Sequence, residues 1–230
     1  MARAENAHHL STTELFQDLS PRELAALEQR MPRTKIEAGT LIYSPQDRGE
    51  VLFLLKEGRV RLYRLSPEGK SLTTSIVDPG SIFGEMAVLG QGMQDSFAEA
   101  LEDCVIYTLN SRDVQDLFLN DPRVSRRLLE LVSQRLADTE RKLEDFAFKS
   151  VPQRLASMLL ELAQVPLDRR EGAVTLPTRL THQQLAEMIG TYRETVTKVL
   201  NDFRQQGWIR MERGRIQLLD LDVLQDMAAK

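Results

Sequence analysis

"THQQLAEMIGTYRETVTKVLNDFRQQGWI", residues 181–209, holds two apolar-periodic segments separated by Gly190. Each opens on a threonine followed three residues on by an amide or an acid: Thr181 with Gln184, and Thr191 with Glu194. In such a capping box the hydroxyl accepts from a first-turn amide, and the third side chain returns a bond to the threonine's own amide. Two helix starts are therefore predicted about ten residues apart. Gly190 can take the left-handed conformation that stops the first helix, and Gly207 does the same for the second. Leu185 and Ile189 then pack on Val196, Val199, Leu200 and Phe203, with Ala186 permitting close approach. Two short helices joined by a glycine turn make a helix-turn-helix.

With that side turned inward, Tyr192, Arg193, Glu194, Thr197, Lys198 and Asn201 face outward or lie on the flanks. Arg pairs bidentately with guanine and Glu accepts from the cytosine amino group. Both sit in the first turn, which enters the major groove deepest. Arg193, Glu194 and Lys198 are accordingly expected to read base edges. Thr181, Tyr192, Thr195 and Thr197 are expected on the DNA backbone. Trp208-Ile-Arg-Met, Glu-Arg-Gly-Arg215 and the following "IQLL" suggest a hairpin wing whose Arg213 and Arg215 meet phosphates. The competing reading of Arg193 and Glu194 is a local surface ion pair.

The net charge of −4 opposes this until it is divided along the chain. From Ser150 onward there are 11 basic and 10 acidic residues, so the acidity lies before it, with 19 against 24. Between Thr178 and Arg215 seven basic residues face four acidic ones, a local basic footprint.

At 230 residues and 42% apolar composition, the chain can build a main domain and a smaller one. No apolar run is long enough for a membrane span, and "MARAENAHHLSTTELF" lacks a signal-peptide core, so the cytoplasm is expected. The single cysteine, Cys104, allows no internal disulfide and no multi-thiolate cluster. His8, His9 and His182 have no metal-ligand spacing. No metal and no cofactor are expected. An enzyme on a small barrel would need metal-binding histidines on its strands, and the strand-rich segment has none.

From about Leu24 to Leu109, short apolar strands alternate with Gly and Pro punctuation, as in "VLFLLKEG", "VRLYRLSPEGK" and "CVIYTLN". This pattern predicts an antiparallel sandwich or barrel with a tight hairpin at "SPEGK". "FGEMAVLG" interrupts the strands and is expected to form a helical turn. From about Ser111 the period changes to helical. "RDVQDLFLND" forms one short helix, and Pro122 opens a long one. On the latter, Leu129, Val132, Leu136, Thr139, Leu143 and Phe146 alternate spacings of three and four, a narrow stripe suited to a two-stranded seam. A single amphipathic helix lying on its own domain is the alternative. The expected fold class is α+β, with a strand-rich domain over residues 10–120, a long helix over 121–148 and a winged helix-turn-helix over 149–230.

In this order, these segments resemble the cyclic AMP receptor protein and fumarate-nitrate reduction regulator family of bacterial transcription factors. The most specific match is "RETVTKVL", which resembles the family's recognition helix. The resemblance implies a β-roll, a homodimer on double-stranded DNA, and inverted TGTGA-like half-sites. It also implies RNA polymerase contacts from the loop between Val165 and Ala173 and the hairpin around Glu68, with no membrane partner.

The resemblance further implies a cyclic-nucleotide pocket at "FGEMAVLGQGMQDSFAEA". Gly84 and Glu85 match ribose-holding positions, and Ser96 matches a phosphate contact. Thr139-Glu140 keeps half of an adenine-contacting Thr-Ser pair. Where the family has an arginine before that serine, this chain has Asp95. No Lys, Arg or His occurs from Ser71 to Ser111, and six acids do: Asp78, Glu85, Asp95, Glu99, Glu102 and Asp103. Losing a charge-assisted bond and adding repulsion each costs about 1 to 4 kcal/mol, or roughly two or more decades of affinity together. The pocket is thus expected to be vestigial, with regulation independent of cyclic AMP. Gating by cyclic AMP or another small molecule is the alternative. Glu85 itself is expected to bond loop amides.

Overall fold

The computed structural model describes residue 10 and residues 13–47, 51–85, 96–166, 169, 172–212 and 214–229. The chain divides into two compact units, residues 1–137 and 138–230.

In the first unit, α1 (Pro21–Glu28) is a helix where the sequence pattern had suggested strands. Ser20 and Glu23 form a capping box, with the Ser20 amide donating to Glu23 Oε2 at 2.6 Å. Pro21 sits in the first turn, where a missing N–H is harmless. Leu24 and Leu27, three residues apart, are both buried. These local signals outweigh the apolar run that follows.

Among the described residues eight strands come next: β1 (Arg33–Ile36), β2 (Leu41–Tyr43), β3 (Val51–Glu57), β4 (Val60–Leu65), β5 (Ser71–Val77), β6 (Ile82–Phe83), β7 (Phe97–Ala100) and β8 (Cys104–Asn110). They form two antiparallel sheets, ordered β1-β8-β3-β6 and β2-β7-β4-β5. Strand β3 is buried on both faces because successive side chains alternate. Phe53 and Leu55 pack with Tyr43, Phe83, Ala98 and Ile106, while Leu52 and Leu54 pack with Phe16, Leu24, Val114 and Val124. The expected tight hairpin is present. The Ser66 amide donates to Lys70 O at 2.8 Å, and the Gly69 amide to Ser66 O at 2.9 Å.

Helix α2 (Ser111–Asn120) is capped by Asn110, whose Oδ1 accepts from the Asp113 amide at 3.0 Å. Helix α3 (Pro122–Phe148) is 27 residues long. Its start is tied to the N-terminal segment by ion pairs: Arg123 to Glu23 at 2.7 Å and Arg127 to Asp18 at 2.8 Å. Hydrogen bonds from Ser20, and then Arg123, hold the Glu23 carboxyl down at about 2. Beyond Val124 and Leu128, α3 buries little. Leu129, Leu136 and Leu143 are 68%, 59% and 68% exposed, and Val132 and Thr139 are exposed too. The described residues of its own chain therefore leave the apolar stripe uncovered.

The second unit contains α4 (Val151–Leu162), β9 (Val174–Thr175), α5 (His182–Ile189), α6 (Arg193–Gln205), β10 (Ile209–Glu212), β11 (Arg215–Leu218) and α7 (Leu221–Ala228). Strands β10 and β11 form the expected hairpin, and β9 adds a third strand beside β11. Helix α7 packs on α4. Among the described residues, no helix is long and apolar enough to cross a membrane, and no His, Cys, Asp and Glu cluster could hold a metal.

Candidate nucleic-acid interface

Helix α5 starts as its sequence demands. Gln184 Oε1 accepts from the Thr181 amide at 2.8 Å, and the Gln184 amide donates to Thr181 Oγ1 at 3.2 Å. It stops at Gly190, which has φ +63°. The second capping box does not form. The Thr191 amide is drawn back to Ala186 O at 3.0 Å and helps close α5, so the cap position falls on Tyr192, whose side chain makes no cap bond. Helix α6 thus begins at Arg193.

The inner face of α6 buries Val196, Val199, Leu200 and Phe203 against an α5 that buries Leu185, Ala186, Met188 and Ile189. Phe203 also meets Trp208 at 5.4 Å between ring centroids, which holds the wing to the helix. On the other face Arg193, Glu194 and Lys198 are exposed. Among the described residues, their side chains make no hydrogen bond or ion pair. The surface ion pair weighed for Arg193 and Glu194 is absent among those residues. Tyr192 is 65% exposed and Thr181 is exposed at the end of α5, whereas Thr195 and Thr197 are half-buried. Arg215 is exposed and opposite Glu212 in the wing; Arg213 lies outside the described residues.

Phe146, assigned by its spacing to the seam, has a neighbour in its own unit. A Cβ at Gly190 would come within 2.5 Å of the Phe146 ring, and the Arg154 guanidinium lies 5.3 Å from the ring centroid. The end of α3 therefore rests on the turn between the two helices of the helix-turn-helix.

Residues 33–121 match the cyclic nucleotide-binding domain, and residues 153–227 the Crp-like helix-turn-helix domain. The transcriptional regulator SdrP of Thermus thermophilus is 40% identical over 185 residues, covering 80% of this chain and 85% of SdrP. The chain belongs to the CRP/FNR family of transcription regulators. The cyclic AMP receptor protein of the same organism is 31% identical, covering 93% of this chain and 96% of that protein. A crystal structure of a Thermus thermophilus CRP/FNR-family regulator superposes with a TM-score of 0.70 at 38% identity, covering 86% of this chain and 99% of that one. These relatives are regulators of transcription, not enzymes. For a CRP/FNR regulator, the faces described above make the second unit a DNA-binding domain.

In CRP/FNR terms the first unit carries the nucleotide-binding fold, and its pocket residues are already engaged. Gly84 has φ +81°, and a Cβ there would sit 2.9 Å from both the Phe53 ring and Val51 O, so only glycine fits. Glu85 is 8% exposed and pairs with the Arg135 guanidinium from α3; the loop amides expected to bond it lie outside the described residues. Arg135 also donates to Ile82 O. Beside them, Ser96 hydrogen-bonds the Tyr43 phenol. Burial raises the phenol's pKa, and the Glu85 charge reinforces this, while Ser96 and Arg135 oppose it. Asp95 lies outside the described residues. Thr139 is exposed on α3, in the second unit.

Sequence reasoning missed Arg135 because it searched for a cation beside the pocket loop. One signal was available, since Arg135 lies one helical turn before Thr139. The nearby acids also have partners: Asp78 and Glu102 with Arg59 at 2.7 and 3.4 Å, Glu99 with Arg61 at 3.9 Å, and Asp103 with the Ala38 amide at 3.0 Å.

Proposed function

We propose that this protein is a cytoplasmic, homodimeric transcription activator that binds inverted TGTGA-like half-sites without needing cyclic AMP. The observation that carries the reading is the outward face of α6. Its three charged side chains have no partner among the described residues, and its opposite face is fully buried. Arg193, Glu194 and Lys198 read bases; Thr181, Tyr192, Thr195, Arg213 and Arg215 serve the backbone. The uncovered stripe from Leu129 to Leu143 supports a dimer, because a second copy would bury it by the same three-and-four spacing. Two-fold symmetry then sets the half-sites about 34 Å apart. RNA polymerase would meet the loop from Val165 to Ala173 and the hairpin around Glu68. Gln225 supports that loop, donating to Pro166 O and Arg169 O, both at 3.1 Å.

Independence from cyclic AMP is supported by the Glu85–Arg135 pair, which engages the cation nearest the pocket carboxylate, and by the lack of any cation from Ser71 to Ser111. One observation favours gating instead. Arg135 is a guanidinium beside Tyr43 and Ser96, and a bound anion would draw it from Glu85. The deciding measurement is binding of nucleotide-stripped protein to a palindromic TGTGA-type duplex, titrated with and without cyclic AMP. Tight binding unchanged by nucleotide is expected, and binding that appears only with nucleotide would establish gating.

A further inference from the structure

His182 is the first residue of α5, fixed in place by the Thr181–Gln184 capping box. Its Nδ1 lies 2.8 Å from Thr197 Oγ1 in α6, and the same Oγ1 lies 2.9 Å from the carbonyl oxygen of Arg193. A carbonyl can only accept, so the one hydroxyl proton of Thr197 goes to Arg193. The threonine oxygen must then accept from the imidazole, which places a hydrogen on Nδ1. The result is a directed chain from the His182 ring, through the Thr197 hydroxyl, to the Arg193 carbonyl. It holds in the neutral Nδ1–H ring and in the imidazolium alike, because both carry that hydrogen.

The chain ends in the first turn of α6. A helical threonine divides between two rotamers, one of which lets its hydroxyl bond the carbonyl four residues back, and such back-bonding bends a helix slightly. A donor from α5 selects that rotamer permanently. We propose that His182 is a positioning residue for DNA recognition, acting through Thr197 to hold the helix turn that carries Arg193 and Glu194. Thr197 serves this internal chain and not a phosphate, since its only proton is committed. The inference rests on the proposal that Arg193 reads a base, and it adds a residue from the neighbouring helix that never touches DNA through this bond.

The test measures affinity for the palindrome and for an unrelated duplex at one fixed salt concentration, together with the thermal unfolding midpoint. The full-length proteins compared are wild type, His182→Ala, His182→Asn, Thr197→Val, the double variant His182→Ala/Thr197→Val, and Arg193→Ala. His182→Ala should reduce the specific-to-nonspecific ratio about three- to tenfold, the equivalent of one hydrogen bond. Thr197→Val should match it, and the double variant should fall no further, because both changes cut one chain. His182→Asn, which keeps an N–H donor near the Nδ1 position, should restore most of the ratio. The proposal is overturned if the two single losses multiply in the double variant. It is equally overturned if His182→Ala weakens both duplexes alike in step with its unfolding midpoint, the signature of a purely structural contact. An unchanged ratio in Arg193→Ala would instead remove base reading by Arg193, and this inference with it. A reduced ratio there beside an unchanged one in His182→Ala would remove only the role of His182.

Discussion

The outer face of α6 and the pocket of the β-roll each set charged side chains next to a turn made by a left-handed glycine, Gly190 in one and Gly84 in the other. In α6, Arg193 and Lys198 meet no carboxylate among the described residues. In the pocket, Arg135 closes on Glu85. A guanidinium that already has a buried carboxylate contributes to holding the fold and must be released before it can bind an anion. One that faces solvent is available to a polyanion at once. The contrast turns on the partner each cation finds, not on how many cations each region holds.

The largest expected effects come from the two glycines, which differ in what surrounds them. Gly84→Ala would strain the backbone at φ +81° and press its Cβ on Val51 O, which cannot move aside. It should destabilise the protein by about 2 to 5 kcal/mol, read by denaturant unfolding. In Gly190→Ala the three nearest atoms to the new Cβ all belong to the Phe146 ring, which is partly exposed and can shift. Its expected cost is about 1 to 3 kcal/mol. A larger loss at Gly190 than at Gly84 would show that Phe146 is clamped.

Arg193→Ala tests the solvent-facing side of the contrast. It should weaken binding by about 1 to 3 kcal/mol and relax discrimination at one guanine, as measured by competition among single-base variants of the site. Uniform weakening across all sequences would make Arg193 a phosphate contact. Arg135→Ala tests the closed side. It leaves Glu85 without its guanidinium and should cost about 1 to 3 kcal/mol of folding stability while leaving the pattern of base discrimination unchanged. A change in that pattern would break the division between the two regions.

The smallest expected effect is an acid response of the N-terminal clasp. Hydrogen bonds from Ser20, and then Arg123, depress the Glu23 carboxyl from 4.5 to about 2. A depressed carboxyl contributes stability that is present above its unfolded value and is lost as pH falls toward the folded one. The unfolding midpoint should therefore decline between about pH 4.5 and pH 2, and Glu23→Gln should flatten that decline. An identical decline in the variant would assign the acid response to other carboxylates such as Asp18 and Asp121, whose pKa values are lowered too.

Much of this architecture was legible in one dimension. The helix-turn-helix, the wing, the Ser66–Lys70 hairpin and the long helix all announced themselves through caps, glycines and periodicity. The failures share a feature. Thr191 looked like a second cap, but its amide was taken by Ala186. Glu85 has no cation near it along the chain, but a guanidinium from α3 reaches it. Helix α1 was missed because its Ser20–Glu23 box adjoined a strand-like run, and α7 because it followed the last recognised motif.

Sequence alone determined most of the helices and strands, α1 and α7 excepted, and which face of α6 turns outward, because caps, turns and side-chain periods act over three or four residues and need no distant partner. Tertiary structure decided which charges remain available and which are closed off. Arg135 bonds a carbonyl 53 residues away, His182 meets Thr197 across 15 residues, and Phe146 rests on Gly190 from another helix. Such partners are chosen by which backbones approach in space, and the strength of a charge or hydrogen bond depends on that approach and on burial, neither of which spacing along the chain records.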